Sequence, residues 1–170
     1  GFPSEKIKVI WNSLDWEKQS TIYNNIKEIP LQTLRKNINM PLDKPILLTI
    51  SRVTEICYYD WLIKAVANIR QKGGILPEVW MIGEGPALEE LKSLARSLEV
   101  PLHSMGAIYD EEIIARHIMA ANLVISPGKL GLTAMHALAY GTPAITHSNL
   151  DLQMPEIESI IEGKSGSLFK

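Results

Sequence analysis

The sequence predicts an α/β fold, a Rossmann-like doubly wound parallel sheet of about six strands with helices on both faces. Three observations carry this. Short β-branched or apolar runs alternate with longer amphipathic stretches along most of the 170 residues. The short runs are continuously apolar, the pattern of strands covered on both sides. Glycine and proline punctuate the joints between the two kinds of segment.

Ile46–Ser51 (ILLTIS), behind Pro45, reads as the first strand. Trp61, Leu62, Ala65, Val66 and Ile69 then recur at helical spacing until Gly73-Gly74. Glu78–Gly83 (EVWMIG) is a second strand, and Pro86 opens a helix with Leu88, Leu91, Leu94, Ala95 and Leu98 on one face. Leu102–Gly106 is a weaker third strand, followed by a helix over about Asp110 to Ala120. Asn122–Ser126 (NLVIS) is the fourth strand, Gly131–Tyr140 a helix closed by Gly141, and Pro143–His147 the fifth strand. A short helix near Pro155–Ile161 and a last run at Ser167–Phe169 complete the alternation. Ahead of it, Ile7–Trp11 reads as a strand and Asp15–Ile38 as one polar helix. Residues 1–40 thus form a lead-in, joined through Pro41–Pro45 to a main domain over 41–170. Trp11, Trp16, Trp61 and Trp80 read as packing residues.

Composition excludes several classes. A formal charge of −2 gives no basic footprint for nucleic acid. No apolar run approaches the ~20 residues of a membrane span, and the N-terminus has no signal-peptide pattern. The single cysteine, Cys57, rules out an internal disulfide and suits a reducing compartment. His103, His117 and His147 lack metal-ligand spacing, so no metal site is expected. The start at Gly1 and the stop at Lys170 read as the ends of a piece of a longer protein.

Four segments suit chemistry. In a doubly wound sheet the ligand crevice lies at the carboxyl ends of the strands. Arg52, just beyond the first strand, would point a guanidinium into that crevice, where it can pair with a diphosphate bidentately. Gly83-Glu84-Gly85-Pro86 would let the backbone turn sharply and a ligand approach closely. Ser126 to Thr133 (SPGKLGLT) leads from a strand into a helix start, where free N–H groups and the positive end of the helix dipole favour an anion, with Lys129 beside them. His136, one turn further on, is placed to bond a sugar hydroxyl. Taken singly, each also fits a plain turn, a surface cation or a half-buried histidine. Glu111-Glu112 reads as charge complementing a helix N-terminus rather than an acid/base pair. No dinucleotide fingerprint, phosphate-binding Walker loop or nucleophile triad is present.

Together these segments resemble the C-terminal domain of the GT-B glycosyltransferases, specifically the large retaining family 4. The resemblance runs in order from Lys6 to Asp15 (KIKVIWNSLD), through Ser51-Arg52, Ile82 to Pro86 (IGEGP) and Ser104-Met105-Gly106, to Gly131–Pro143 and Glu162–Gly166. It implies a domain that binds a nucleoside-diphosphate sugar, UDP first with GDP or ADP as alternatives, and needs no further cofactor or metal. Arg52 and Lys129, with the backbone of Leu130, Gly131, Leu132 and Thr133, would hold the diphosphate. His136 would hold the ribose. Gly83, Glu84 and Gly85 with Met105, Ala107 and Ile108 would shape the nucleobase pocket, and Gly128 would lie in the donor-sugar loop.

Three departures stand out. The family's lysine five residues after the arginine is Cys57 here, and its two glutamates eight positions apart are Gly128 and His136. Pro127–Pro143, Thr146–Asn149 and Gln153–Glu156 resemble a bacterial polysaccharide-related subgroup that itself carries histidine at this place. The implied reaction is sugar transfer to an acceptor hydroxyl with retention, by a cytoplasmic enzyme, with the inner face of the cytoplasmic membrane as the alternative place for the parent enzyme. Its acceptor, a sugar or lipid-linked glycan, and its catalytic side chains would lie on an N-terminal domain outside this chain. A nucleotide-sugar epimerase and a degenerate, non-catalytic nucleotide-binding module are the alternatives.

Overall fold

The computed structural model describes residues 13–170, together with Pro3 and Lys8. The expected strand at Ile7–Trp11, with Trp11 itself, lies outside the described residues. Six strands, β1 (Ile46–Ile50), β2 (Glu78–Ile82), β3 (Leu102–Ser104), β4 (Leu123–Ser126), β5 (Ala144–His147) and β6 (Gly166–Phe169), form one sheet in the order β3-β2-β1-β4-β5-β6. Every neighbouring pair is parallel. The order runs outward in both directions from β1 and β4, which creates a topological switch point between them. Loops leaving β1 and β4 therefore diverge and leave a crevice at their carboxyl ends.

Successive strand residues face opposite sides, and each side has its own core. Leu47, Val79 and Met81 pack with Leu62, Ile63 and Val66 of α3 (Tyr59–Gln71) and Leu91 and Ala95 of α4 (Leu88–Ser97). Ile46, Leu48, Trp80 and Val124 pack on the other side with Ile114, Ala115 and Ile118 of α5 (Glu111–Ala120) and Ala134 and Ala137 of α6 (Leu132–Ala139). This explains why the strands read as unbroken apolar runs. Each fully buried leucine or isoleucine contributes about 2 kcal/mol through removal from water.

The single polar helix expected over Asp15–Ile38 is two helices, α1 (Trp16–Ile26) and α2 (Leu31–Asn37). Pro30 stands at the break. It has no N–H to donate and disfavours helical geometry in the residue before it. Asp15 caps α1 by accepting from Lys18 N at 3.1 Å. Ile26 and Leu34 are buried in the same core as α5 and α6, so the lead-in helices pack as part of this layer. Arg35 of α2 is buried too. It donates to Ala120 O at the end of α5 (2.9 Å), to Lys44 O (3.1 Å) and to Asn122 Oδ1 (2.8 Å), an oxygen that also accepts from Ile46 N. One guanidinium thus ties α2, α5 and the entrances of β1 and β4 together.

Two tryptophans read as packing residues are not in the core. Trp16 is 67% exposed and Trp61 50% exposed, the latter stacked on Tyr58 with ring centroids 4.7 Å apart, whereas Trp80 is buried. Pro86 does not open α4 directly; that helix begins at Leu88 behind Ala87, whose N–H donates to Val53 O instead.

Candidate donor site

The chain leaving β1 and the chain leaving β2 remain hydrogen-bonded beyond the strands. Ser51 N donates to Ile82 O (3.1 Å) and Val53 N to Glu84 O (2.9 Å), so Arg52 is carried on the neighbour of the glycine turn. Gly83 N in turn donates to Gly106 O at 2.8 Å, which draws the loop after β3 to the same place. Gly83 has φ +143°, and a Cβ there would lie 1.8 Å from Ser51 O, so only glycine allows this three-way approach. The result is a cleft of about 450 Å3 lined by Ile50, Ser51, Arg52, Ile82, Gly83, Glu84, Ala107, Ile108 and Tyr109. Of the residues expected at a nucleobase, Gly83, Glu84, Ala107 and Ile108 meet here. Gly85 does not line the cleft, and Met105 packs toward the core instead. Tyr109, 91% exposed at the rim, has no periodicity or motif that would single it out in the sequence.

On the other side of the switch point, the loop from Pro127 to Gly131 leads into α6. Among the described residues, the N–H groups of Gly131, Leu132 and Thr133 donate to no protein acceptor, as expected for a helix start open to an anion. Leu130 differs from expectation. It is fully buried and its N–H donates to Gln153 Oε1 at 2.8 Å, so it is taken up inside the protein. Thr133 Oγ1 donates to Ile50 O at 2.8 Å and anchors the first turn of α6 to β1. Arg52 and Lys129 are both exposed, and neither forms an ion pair with a described residue.

Gln153 was not legible as a site residue, yet it organises this loop. Its Nε2 lies within hydrogen-bond distance of Thr146 Oγ1 (2.7 Å), Gly128 O (3.1 Å) and His147 O (3.1 Å), while its Oε1 accepts from Leu130. Thr146 Oγ1 also donates to Gly128 O. A glutamine seven residues past a strand carries no sequence signal for such a role. Gly128 is buried against the 3₁₀ turn Glu55–Cys57, where a Cβ would fall 2.1 Å from Ile56 O.

The turn after Arg52 is held from below. Tyr59 OH and Ser51 Oγ are 2.7 Å apart, and burial pushes the Tyr59 phenol above its ordinary range, so it stays protonated. His136 makes its contact with Glu111, Nε2 to Oε2 at 3.3 Å. The same carboxylate accepts from Tyr140 OH (2.6 Å) and Gln19 Nε2 (3.1 Å). Glu111 therefore does more than charge a helix end, whereas Glu112 pairs with Arg116 on the surface.

Residues 44–170 match the family model described as Glycosyl transferases group 1. The chain belongs to this family. Its described sheet and helices form the C-terminal, Rossmann-like domain of the GT-B type, as the ordered motifs implied. It is 30% identical over 150 residues to the alpha-monoglucosyldiacylglycerol synthase of Streptococcus pneumoniae, covering 85% of this chain and 32% of the relative. Its fold is similar to that of HepE of Anabaena, solved with UDP and glucose (TM-score 0.75, 19% identity, all of this chain and 45% of that one). It is also similar to that of a Rickettsia africae glycosyltransferase (TM-score 0.74, 16% identity, 99% of this chain and 44% of that one). The chain thus spans about a third of the curated relative it matches. Among the described residues of this group 1 domain, no helix is long and apolar enough to cross a membrane.

Proposed function

We propose that this chain is the donor-binding part of a retaining hexosyltransferase that moves a sugar from a nucleoside diphosphate to an acceptor hydroxyl. The observation that carries the reading is the convergence at the switch point. An exposed arginine, an exposed lysine and three unengaged helix N–H groups stand beside a cleft of the size of a nucleobase and its sugar. In a nucleoside-diphosphate sugar, negative charge grows on the leaving diphosphate as the anomeric bond breaks. Arg52, Lys129 and the N–H groups of Gly131, Leu132 and Thr133 would stabilise that charge where it develops. The Gly83–Glu84 turn and Ala107–Ile108 would seat the base, and His136 would meet the ribose. The acceptor and the groups facing the anomeric carbon belong, in this reading, to another domain, so the chain alone binds donor and scarcely turns it over. UDP is the first candidate nucleotide, supported by the UDP in the HepE structure. The parent would act in polysaccharide or glycoconjugate synthesis on the cytoplasmic side.

Titration calorimetry with UDP, GDP and ADP tests this. Binding of one of them, weakened by Arg52→Ala, is the expected result; heat from none would refute the donor site. A second reading is favoured by one specific feature, the tight seat of Gly128 on Cys57. That contact leaves no room for a side chain in the donor-sugar loop, and a non-catalytic nucleotide-binding module would tolerate it. Full-length protein that binds nucleotide but transfers no sugar would support this module instead.

A further inference from the structure

Three large apolar side chains stand in water on the loop that follows β5. Leu150, Leu152 and Met154 are 67%, 48% and 40% exposed. The loop that carries them is held in place. Leu152 N donates to Asn149 O at 3.2 Å, Gln153 N to Leu150 O at 3.1 Å, and Asp151 N to Asn149 Oδ1 at 3.2 Å. The side chain of Gln153, between Leu152 and Met154, is taken up by Leu130 N, Thr146 Oγ1, Gly128 O and His147 O. Turning the apolar side chains inward would break those bonds, so their exposure is built into the loop.

Their position ties them to the donor site. A Cβ on Gly131 would meet Met154 Cγ at 3.8 Å, so the thioether chain lies against the residue at which α6 starts. At the other end of the same loop Gly128 touches the backbone of Ile56, whose side chain is exposed as well. Exposed apolar groups thus flank Gly128–Gly131 at both ends, with exposed Lys129 between them. Scattered exposed leucines are ordinary, but a group of them at the rim of a site marks a face that meets something apolar. Charge selects the occupant. Asp151, between the two leucines, is exposed and its carboxylate has no hydrogen bond or ion pair with a described residue; Glu158 is exposed nearby in sequence. Negative charge here opposes an anionic bilayer, and equally a second copy of the same face. A neutral amphiphile fits both features, since its chain can cover the leucines and its hydroxyls can donate to Asp151, an acceptor when ionised.

We propose that the Leu150–Met154 face carries the apolar chain of a neutral, lipid-linked acceptor sugar. The acceptor has to approach the sugar end of the donor, and this face adjoins the Gly128 loop where that end would lie. The inference rests on the donor-site reading above and names its acceptor class. The groups that act at the anomeric carbon stay on the other domain.

Hexyl and octyl β-glucoside, titrated below their micelle concentrations into the chain with and without UDP, are the probes, followed by the methyl NMR signals of the leucines and methionines. A methylene wholly removed from water is worth about fourfold in affinity, and a half-covered one about twofold. Octyl glucoside should therefore bind about 4- to 16-fold more tightly than hexyl glucoside. Leu150→Ser combined with Leu152→Ser should bring that ratio close to unity while UDP affinity stays as it was, which also reports an intact fold. Leu42→Ser, at an exposed leucine on the Pro41–Pro45 joint, should keep the native ratio. Equal binding of the two glucosides, or a ratio that survives the double substitution, would overturn the proposal. Cosedimentation with phosphatidylglycerol vesicles in place of glucoside binding would assign the face to a bilayer and overturn it too. So would a dimer in sedimentation velocity that the double substitution dissolves, which would assign the face to a second copy. Loss of the ratio with UDP binding intact brings down the acceptor face alone. Absence of UDP binding brings down the donor-site reading, and the acceptor role with it.

Discussion

The N–H of Gly128 donates to the carbonyl of Cys57 at 2.9 Å, and a Cβ on Gly128 would sit 2.8 Å from Cys57 Cα. Two of the three positions at which this chain departs from its family pattern are therefore in backbone contact. The smallest residue at one allows the direct seat of the β4–α6 loop on the turn that follows Arg52. Tyr58, next in line, adopts a left-handed conformation (φ 51°) and stacks on Trp61, which steadies the same turn. A single glutamate restored at 128 has no space unless the turn moves.

Gly128→Ala should therefore be felt as overpacking against backbone. We expect a loss of about 1–3 kcal/mol in stability, with a shift of the loop away from Cys57. Urea denaturation reads the first and loss of the Gly128 amide's protection from hydrogen exchange reads the second. A fully stable variant with native amide protection would show that the turn yields freely.

Arg52→Ala should raise the Kd for UDP about 10- to 100-fold, the scale of charge-assisted hydrogen bonds to phosphate. Uridine, which lacks the diphosphate, should bind both proteins alike. An equal loss for uridine would mean that Arg52 shapes the base cleft rather than meeting phosphate.

Gln153→Leu should cost about 2 kcal/mol, because it leaves the buried Leu130 N–H without an acceptor and releases Gly128 O and His147 O. Thermal unfolding measures it. Gln153→Glu keeps the acceptor for Leu130 but sets a carboxylate against two carbonyls, and should be no better tolerated.

His117 gives a pH dependence with a definite sign. It is buried, its Nδ1 lies 2.7 Å from Ile113 O, and burial lowers its pKa below the ordinary 6.5. Between the lowered value and 6.5 the unfolded chain binds more protons than the folded one. Stability from this group is therefore complete above pH 6.5 and is lost as pH falls toward the folded value. His117→Phe should flatten that part of the curve of urea midpoint against pH. An unchanged slope would assign the acid sensitivity to other groups.

Arg35→Met should cost about 3 kcal/mol, since it strands the buried Ala120 carbonyl and removes one of the two donors to the Asn122 oxygen. Arg35→Lys should recover little, because one ammonium cannot span three acceptors set in a fork. Chemical denaturation of the two variants compares them directly.

The alternation of runs and amphipathic stretches determined the class of fold, the six strands and the burial of the sheet on both faces, because periodicity reports which sides of an element meet apolar neighbours. It also placed Arg52, the Gly83 turn and the start of α6 at strand ends, since chain order alone puts them there. What only the tertiary structure decided is which polar groups are already engaged. Leu130 N–H belongs to Gln153, Glu111 belongs to His136 and Tyr140, and Gly128 closes on Cys57. These partners are 23, 25, 29 and 71 residues apart, beyond the reach of any local pattern. Polar contacts of that kind depend on how helices and loops settle on the sheet, and no period along the chain records it.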